Sequence, residues 1–427
     1  MAAGPSPVTA RTLGALQVAA LLVSASYGIG FLFGSGEYAL RYGMAGAIYG
    51  VATGLGMIAM AVFAGRLWLA GRAVWDLLGD RSGDRVRRLV ALLSIVWMAG
   101  VLAAQIHGAV AVVRLLGAGP VAAHAVAVVL IFAASRFELR AASLVFAGCL
   151  AASALVLLYA LVSSGGVELY ADSLPAFAHA LPSLGVAQAF TIAIGVGLLV
   201  CTGADYHQFV LAARGPGTAV RGCLLAGAGL LLLAFLPPAV VLAAVQPSWP
   251  GVADAKQVVP QALSLAAAEL AAAAGPVMLG VLGMAALGSG AAVLRAMASA
   301  LEAARPRRAP TSPIVLAAIP MAVATSLTAT GLPIVDTMVS VNVVYIASVG
   351  VSLFGLLRGK DGDPVDETWS IAAGFVGAVA AFVPTWAGWS IPNVELIALL
   401  VGLASATMAR VVLHRRHGEP GYRTVRR

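Results

Sequence analysis

Two matching phrases of glycine and polar residues are set into apolar surroundings. Residues 28–38 read GIGFLFGSGEY and residues 195–206 read GVGLLVCTGADY. Gly28, Gly30, Ser35, Gly36 and Tyr38 are answered by Gly195, Gly197, Thr202, Gly203 and Tyr206, with one inserted residue near the end. Glycine costs about 1 kcal/mol against alanine inside a helix, so each phrase predicts an interrupted helix. An interruption frees backbone carbonyls, which bind cations, and half-helix N-termini, which favour anionic groups. Ser24, Ser26, Tyr27, Gly28, Phe31 and Ser35 around the first phrase are therefore candidate substrate ligands. Thr191, Gly195, Gly197, Cys201 and Thr202 are their counterparts around the second. Tyr27 and Phe31 are four apart and share a helix face. The alternative for each residue is packing, because the chain has 48 glycines and small residues let membrane helices approach.

Other polar residues stand at spacings that suggest work. Gln105 and His107 lie in the middle of a third apolar stretch, where a polar side chain faces the bundle interior. Gln105 is a candidate substrate ligand, and His107 a candidate coupling group because histidine titrates near neutral pH. Bonding to neighbouring helices is the alternative for both. Glu37 falls at the outer end of the first broken helix, as a gate or a cation-attracting carboxylate. Asp336, Ser340 and Asn342 form a polar stripe in the outer half of the tenth stretch, with Asp336 and Asn342 as gating candidates. Arg295 and Glu302 are seven apart on one face. Snorkelling to the interface is preferred for them over an ion-pair network with Asp205.

Enzyme signatures are missing. There is no HExxH, no GxSxG and no pair of aspartates within the apolar stretches, so an enzyme is not expected. The six histidines are scattered, and Cys149, Cys201 and Cys223 have neither metal-ligand spacing nor the look of a disulfide framework. Nothing calls for an organic cofactor.

The elements that must position these groups are membrane helices. Hydrophobic residues make up 61% of the chain, charged residues 10%, and mean hydropathy is +0.96, whereas soluble domains carry about 25% charged residues. Spans of about 20 residues are predicted near 11–34, 43–65, 88–116, 120–135, 141–163, 186–204, 221–246, 275–301, 312–330, 333–357, 369–386 and 391–413. The fold class is thus an all-α polytopic membrane protein with about twelve transmembrane helices. Residues 13–25 are read as part of a retained first helix, not a signal peptide, because the apolar stretch runs on through Phe33.

The net charge of +8 is distributed as a topology signal and gives no nucleic-acid surface. With the N-terminus inside, Arg11, Arg66, Arg72, Arg81, Arg85, Arg87, Arg88, Arg136, Arg140, Arg214, Arg221 and Arg305 all fall on the inner side. Arg41, Arg114 and Lys256 fall outside. This is the positive-inside pattern, and it predicts cytoplasmic termini in a bacterial inner membrane. The inner connection 66–88 alternates aromatic residues with arginines and suits either a helix at the headgroup level or a plain loop. The outer connections 164–185 and 247–274 carry acidic residues and a short helix over the vestibule.

Five spans run from the first broken helix to the second, so the second crosses in the opposite direction, and an inverted five-plus-five repeat follows. Its halves are 11–163 and 186–357; 369–413 holds two extra helices and 414–427 a cytoplasmic tail, all in one membrane domain (1–427).

Three stretches are similar to the sodium:solute symporter family of the amino acid–polyamine–organocation superfamily. They are FLFGSGEYALRYGMAGAIYG, GDRSGDRVRRLVALLSIVWMAGVLAAQIHGAVAVVRLLG and GADYHQFVLAARGPGTAVRGCLLAGAGLLL. The resemblance covers about 11–357 and implies a leucine-transporter-type fold with discontinuous helices 1 and 6. It implies secondary active transport of a small organic solute by alternating access, coupled to sodium. By this resemblance the carbonyls of Leu22 and Ala25 face those of Ala285 and Gly288, and the Ser289 hydroxyl completes a sodium site. The family's usual hydroxyl pair in the eighth core helix is here Gly288–Ser289, with a single hydroxyl. Alternatives are a proton-coupled or exchange permease of the wider superfamily, and a sensor that kept the fold without transporting. Expected partners are the solute and the bilayer. Substrate identity and oligomeric state are not legible.

Overall fold

A computed structural model describes residues 11–245, 251, 254–268, 270, 274–305, 311–328, 334–357 and 364–417. Among them are nineteen α-helices. In chain order these are α1 Ala15–Ser26, α2 Ile29–Tyr42, α3 Ile48–Ala70, α4 Val74–Ser82, α5 Asp84–Leu115, α6 Pro120–Ala134 and α7 Leu139–Ser163. Then come α8 Val167–Ala171, α9 Ser173–Ala180, α10 Val186–Thr202, α11 Ala204–Leu211, α12 Pro216–Leu233, α13 Leu236–Ala244 and α14 Val258–Ala268. The last five are α15 Ala274–Ala304, α16 Pro313–Leu327, α17 Ile334–Leu357, α18 Pro364–Trp386 and α19 Val394–His417.

Each of the twelve predicted spans holds helix, as a bilayer demands of a backbone that must bond to itself. Eight helical stretches among the described residues are long and apolar enough to cross a membrane, with Ile29–Ala70 taken as one run. Ala15–Ser26, Pro120–Ala134 and Pro313–Leu327 are shorter apolar helices. The first span is divided into α1 and α2, and the sixth into α10 and α11. The protein is a polytopic membrane fold with discontinuous first and sixth spans.

Packing brings the two broken spans together through shared neighbours. α12 lies along α3 and α1, α10 lies on α3 and α17, and α11 touches α1, α3, α12 and α15. α15 crosses α5, α7 and α1. The two final helices, α18 and α19, pack on each other and on α17.

Two connections carry more structure than a loop. α4 buries Val74, Trp75 and Leu78 and packs on α5, so the connection at 66–88 is seated on the protein. The 164–185 connection forms α8, α9 and a 3-10 turn, and its helix meets α10 at 114°. Within 247–274, α14 buries Val258, Val259 and Leu263 beside α2, α7 and α15. Residues 418–427 of the tail, with part of the 247–274 connection, lie outside the described residues.

Candidate functional site

The first break sits at Tyr27–Gly28, at the very start of its phrase. Gly28 is extended (φ −81°, ψ 174°) and Tyr27 has φ −83°, ψ 47°, angles open to any residue. Space is what requires glycine here. A Cβ on Gly28 would lie 2.5 Å from Gln105 Oε1 and 2.7 Å from Ser289 Oγ. Both side chains reach the unwound backbone: the Gly30 amide donates to Gln105 Oε1 (3.1 Å), and the Ser289 hydroxyl donates to the Ala25 carbonyl (2.6 Å). The Ser26 hydroxyl donates to the Leu22 carbonyl (2.9 Å). A Cβ on Gly288 would meet Ser24 Oγ. Ser24, Ala25, Gly28, Gln105, Gly288 and Ser289 thus converge around one break, built from α1, α2, α5 and α15. Ala285 lies one helical turn before Ser289 on α15 and is buried. The oxygen donors suit a hard cation, with the Ser24 and Ser289 hydroxyls among them.

The second break sits at Gly203, at the end of its phrase. Gly203 is extended (φ −71°, ψ 119°), and a Cβ there would lie 2.8 Å from Asp205 Oδ1 and 3.0 Å from the Leu199 carbonyl. The carbonyls released by the break are taken up by side chains. His207 Nε2 bonds to the Cys201 carbonyl (3.0 Å), and the Tyr345 hydroxyl donates to the Thr202 carbonyl (3.2 Å). Asp205, 1% exposed, accepts from the Tyr206 amide (2.9 Å) at the start of α11. Gln208 ties α11 to α15 through the Ala292 carbonyl (3.2 Å).

Aromatic rings cluster beside the breaks. Tyr27 and Phe31 are 5.0 Å apart, as their spacing predicts, and Phe31 meets Tyr49 at 6.0 Å. Trp97 lies 5.5 Å from Tyr345. The Asp205 carboxylate lies in electrostatic range of the Tyr49, Tyr206 and Tyr345 phenols. Asn342 is fully buried beside the Tyr49 hydroxyl, and among the described residues neither of its amide atoms makes a hydrogen bond of ordinary geometry. Sequence reasoning missed Tyr49, Trp97, Tyr345 and the central place of Asp205. Aromatic residues at helical spacing read as core, and Asp205 reads as part of a helix junction.

Several sequence candidates direct their side chains or backbones to contacts between or within helices. Gly195 and Gly197 lie inside the continuous helix α10, not at its break. Their backbones serve contact with α17 and α3, where Gly195 faces Val343 and Gly197 faces the Ala52 carbonyl. The reason is that the two glycine phrases match in sequence while the helices break at opposite ends of them. Thr191 bonds to its own helix at the Ala187 carbonyl (2.7 Å), and Thr202 to Leu198 (3.0 Å). The Cys201 thiol points to the Gly56 carbonyl (3.7 Å). His107 bonds to the Thr328 carbonyl of the α16 end (2.7 Å), joining two helices. Among the described residues no salt bridge links Arg295, Glu302 and Asp205.

Two latches flank the site. At one end Tyr38 donates to Asp336 (2.5 Å) and accepts from Gln188 (3.2 Å), joining α2, α10 and α17. Beside it, buried Glu37 accepts from the Ile334 amide (3.4 Å) and pairs with Arg41 (3.5 Å). At the arginine-rich end, Leu13 and Ala213 form a parallel bridge. Trp68 Nε1 donates to the Ala213 carbonyl (2.6 Å), and Arg11 lies over the Trp68 ring at 4.0 Å.

No family model and no curated protein matches the sequence. Solved structures do match. A Na+-coupled sialic acid symporter, in a substrate-bound outward-open state, superposes with a TM-score of 0.68 at 12% identity, over 94% of this chain and 90% of that one. Inward-facing Mhp1 gives 0.63 at 15% identity, over 97% and 95%. A manganese transporter of Eremococcus coleocola gives 0.60 at 14% identity, over 97% and 98%. The chain has the leucine-transporter-type fold. At these identities the likeness is one of architecture, and it spans nearly the whole of each chain.

Proposed function

We propose that the protein is a secondary transporter of a small organic solute, working by alternating access in a bacterial inner membrane with both termini cytoplasmic. The observation that carries this reading is the convergence of two helix breaks on one buried, aromatic-lined polar centre with a latch at each end. In such folds the solute site lies at the midplane between discontinuous helices. The solute would sit between the two breaks, with Gln105, Asn342 and the surrounding rings in contact. Tyr38, Asp336 and Glu37 would close the outer end, and Trp68 with Arg11 the inner end. The repeat halves 11–163 and 186–357 would supply one break each.

For the coupling ion we favour sodium, in the manner of the sodium:solute symporter family. The Ser289 hydroxyl and Ala25 carbonyl are already in contact, and Leu22 and Gly288 lie around the same break, which supports an oxygen site there. A proton-coupled permease is the second reading, favoured by the buried Asp205, which makes no salt bridge among the described residues. The test is uptake of a labelled solute panel by full-length protein in proteoliposomes, under sodium or potassium, with and without a pH gradient. Sodium-driven uptake lost in Ser289→Ala supports sodium coupling. Uptake driven by protons alone selects the second reading. Saturable solute binding with no uptake under any gradient would leave a sensor in place of a transporter.

A further inference from the structure

The charge of the solute can be read from how the protein uses its own helix ends. In a fold of this kind, half-helix N-termini beside the breaks would hold an anionic group. Here one amide of each is taken from within. The Gly30 amide, near the start of α2, is occupied by Gln105 Oε1 at 3.1 Å. The Tyr206 amide, near the start of α11, is occupied by the Asp205 carboxylate at 2.9 Å. A solute carboxylate would have to displace one and approach the other's negative charge.

The same centre suits a cation. Asp205 is 1% exposed and makes no salt bridge among the described residues. The Tyr206 hydroxyl on its own helix and the Tyr49 and Tyr345 hydroxyls on α3 and α17 lie in electrostatic range of it. Two of those hydroxyls are committed elsewhere, Tyr345 to the Thr202 carbonyl and Tyr49 to Met338 Sδ. That leaves few free oxygen ligands beside the carboxylate. Hard inorganic cations take six or more oxygens, and no group of three or more His, Cys, Asp or Glu side chains that could hold a metal ion occurs among the described residues. Aromatic faces beside a carboxylate bind organic ammonium groups by cation–π attraction. Asn342, fully buried beside the Tyr49 hydroxyl, has no hydrogen bond of ordinary geometry at either amide atom among the described residues, which leaves polar capacity for a partner, since buried polar groups are almost always hydrogen-bonded.

We propose that the site takes a small organic cation, a protonated amine or quaternary ammonium, held by Asp205 among the three tyrosines and hydrogen-bonded by Asn342 where it has a donor or acceptor to offer. This rests on the transport reading for its location, and its test separates the two. Full-length protein in detergent is screened for thermal stabilisation by choline, tetramethylammonium and ethanolamine in potassium buffer and again with sodium. Choline is paired with its uncharged isostere, in which carbon replaces the ammonium nitrogen, and with the carboxylate of the same skeleton. The expected result is a saturable rise in melting temperature with at least one ammonium probe, and none with the isostere or the carboxylate. This comparison needs no variant. Asp205→Asn should weaken the response by roughly thirtyfold or more, the scale of removing one partner of a buried charge pair, while Glu168→Gln on an exposed outer connection leaves it intact. A response to the isostere or carboxylate, an ammonium response indifferent to Asp205→Asn, or no response to any ammonium probe overturns the proposal. Binding of a neutral or anionic solute that is then taken up by proteoliposomes would refute the charge and leave transport standing. Asp205-dependent ammonium binding without uptake would do the reverse.

Discussion

Gly28 and Gly195 occupy equivalent places in the two phrases, yet their surroundings set different costs for a methyl group. At Gly28 the added Cβ would collide with Gln105 and Ser289, each fixed by a hydrogen bond to the broken backbone. At Gly195 its nearest neighbour is Val343 Cγ1 at 3.6 Å, an ordinary contact. Gly28→Ala should therefore destabilise the protein by about 1–3 kcal/mol, the usual cost of overpacking, and abolish solute binding. Gly195→Ala should be neutral or stabilising, since alanine is the better helix former by about 1 kcal/mol. Melting temperature and ligand-induced shift for the two variants give the answer; equal damage at both would mean that the glycines act through the repeat and not through space. Ser289→Ala leaves the Ala25 carbonyl buried without its donor, a loss of about 1–3 kcal/mol. The same residues show what was legible. Glycine spacing disclosed that helices one and six are broken, and the family resemblance pointed to the α15 residues beside the first break. They could not disclose where within each phrase the helix parts, because the extended angles at Gly28 and Gly203 are open to any residue. That choice is made by partners distant in sequence. Gln105 and Ser289 take up the first break, and Tyr345 and His207 the second. His107 shows the opposite case, a mid-span polar residue whose partner is a neighbouring helix end.

At the scale of elements, the short segment before α1 is a fastener. Leu13 pairs with the chain at Ala212 and Arg214, with its amide donating at 3.1 Å and its carbonyl accepting at 3.0 Å. Trp68, from the end of α3, donates to the Ala213 carbonyl at 2.6 Å and carries Arg11 over its ring. Three elements, the lead into α1, α3 and the end of α11, thus meet at one indole. Trp68→Ala removes the donor and the platform together, and should loosen the arginine-rich end without touching either break. The protein carries its own reporters. Cys201 beside the second break and Cys223 on α12 are both buried and free. In a Cys149→Ser background, Trp68→Ala should raise the rate of maleimide labelling at Cys201 and Cys223 by roughly tenfold, which corresponds to about 1.4 kcal/mol removed from the closed state. Labelling at the wild-type rate would reduce this contact to simple anchoring of the segment. The sequence hid the fastener: Trp68 lies in an arginine-rich connection that reads as interfacial, and nothing local marks Ala213 as its partner.

At the scale of the whole molecule, the two latches are closed at once, at opposite ends of the same pair of broken helices. Tyr38, Asp336 and Gln188 hold α2 to α17 and α10; Trp68 and Leu13 hold the other halves, α1 and α11, to α3. Because α2 continues α1 and α11 continues α10, loosening one end changes the balance at the other. If the ends are exclusive states of one equilibrium, an effect that favours opening at one end must disfavour it at the other by the same free energy. Ser35 is a suitable outer reporter, since it is fully buried in α2 and its hydroxyl has no hydrogen-bond partner among the described residues. In a Ser35→Cys variant, Tyr38→Phe removes the donor to Asp336 and should speed labelling at position 35 while slowing it at Cys201. Trp68→Ala should do the opposite, and the double variant should return both rates toward those of the parent. Additive opening at both ends, with position 35 and Cys201 labelled faster together in the double variant, would describe a channel-like molecule with independent gates. Opposed rates, and their cancellation in the double variant, are what a single swinging element requires, and only that element can carry a solute past the buried Asp205 without opening a continuous path.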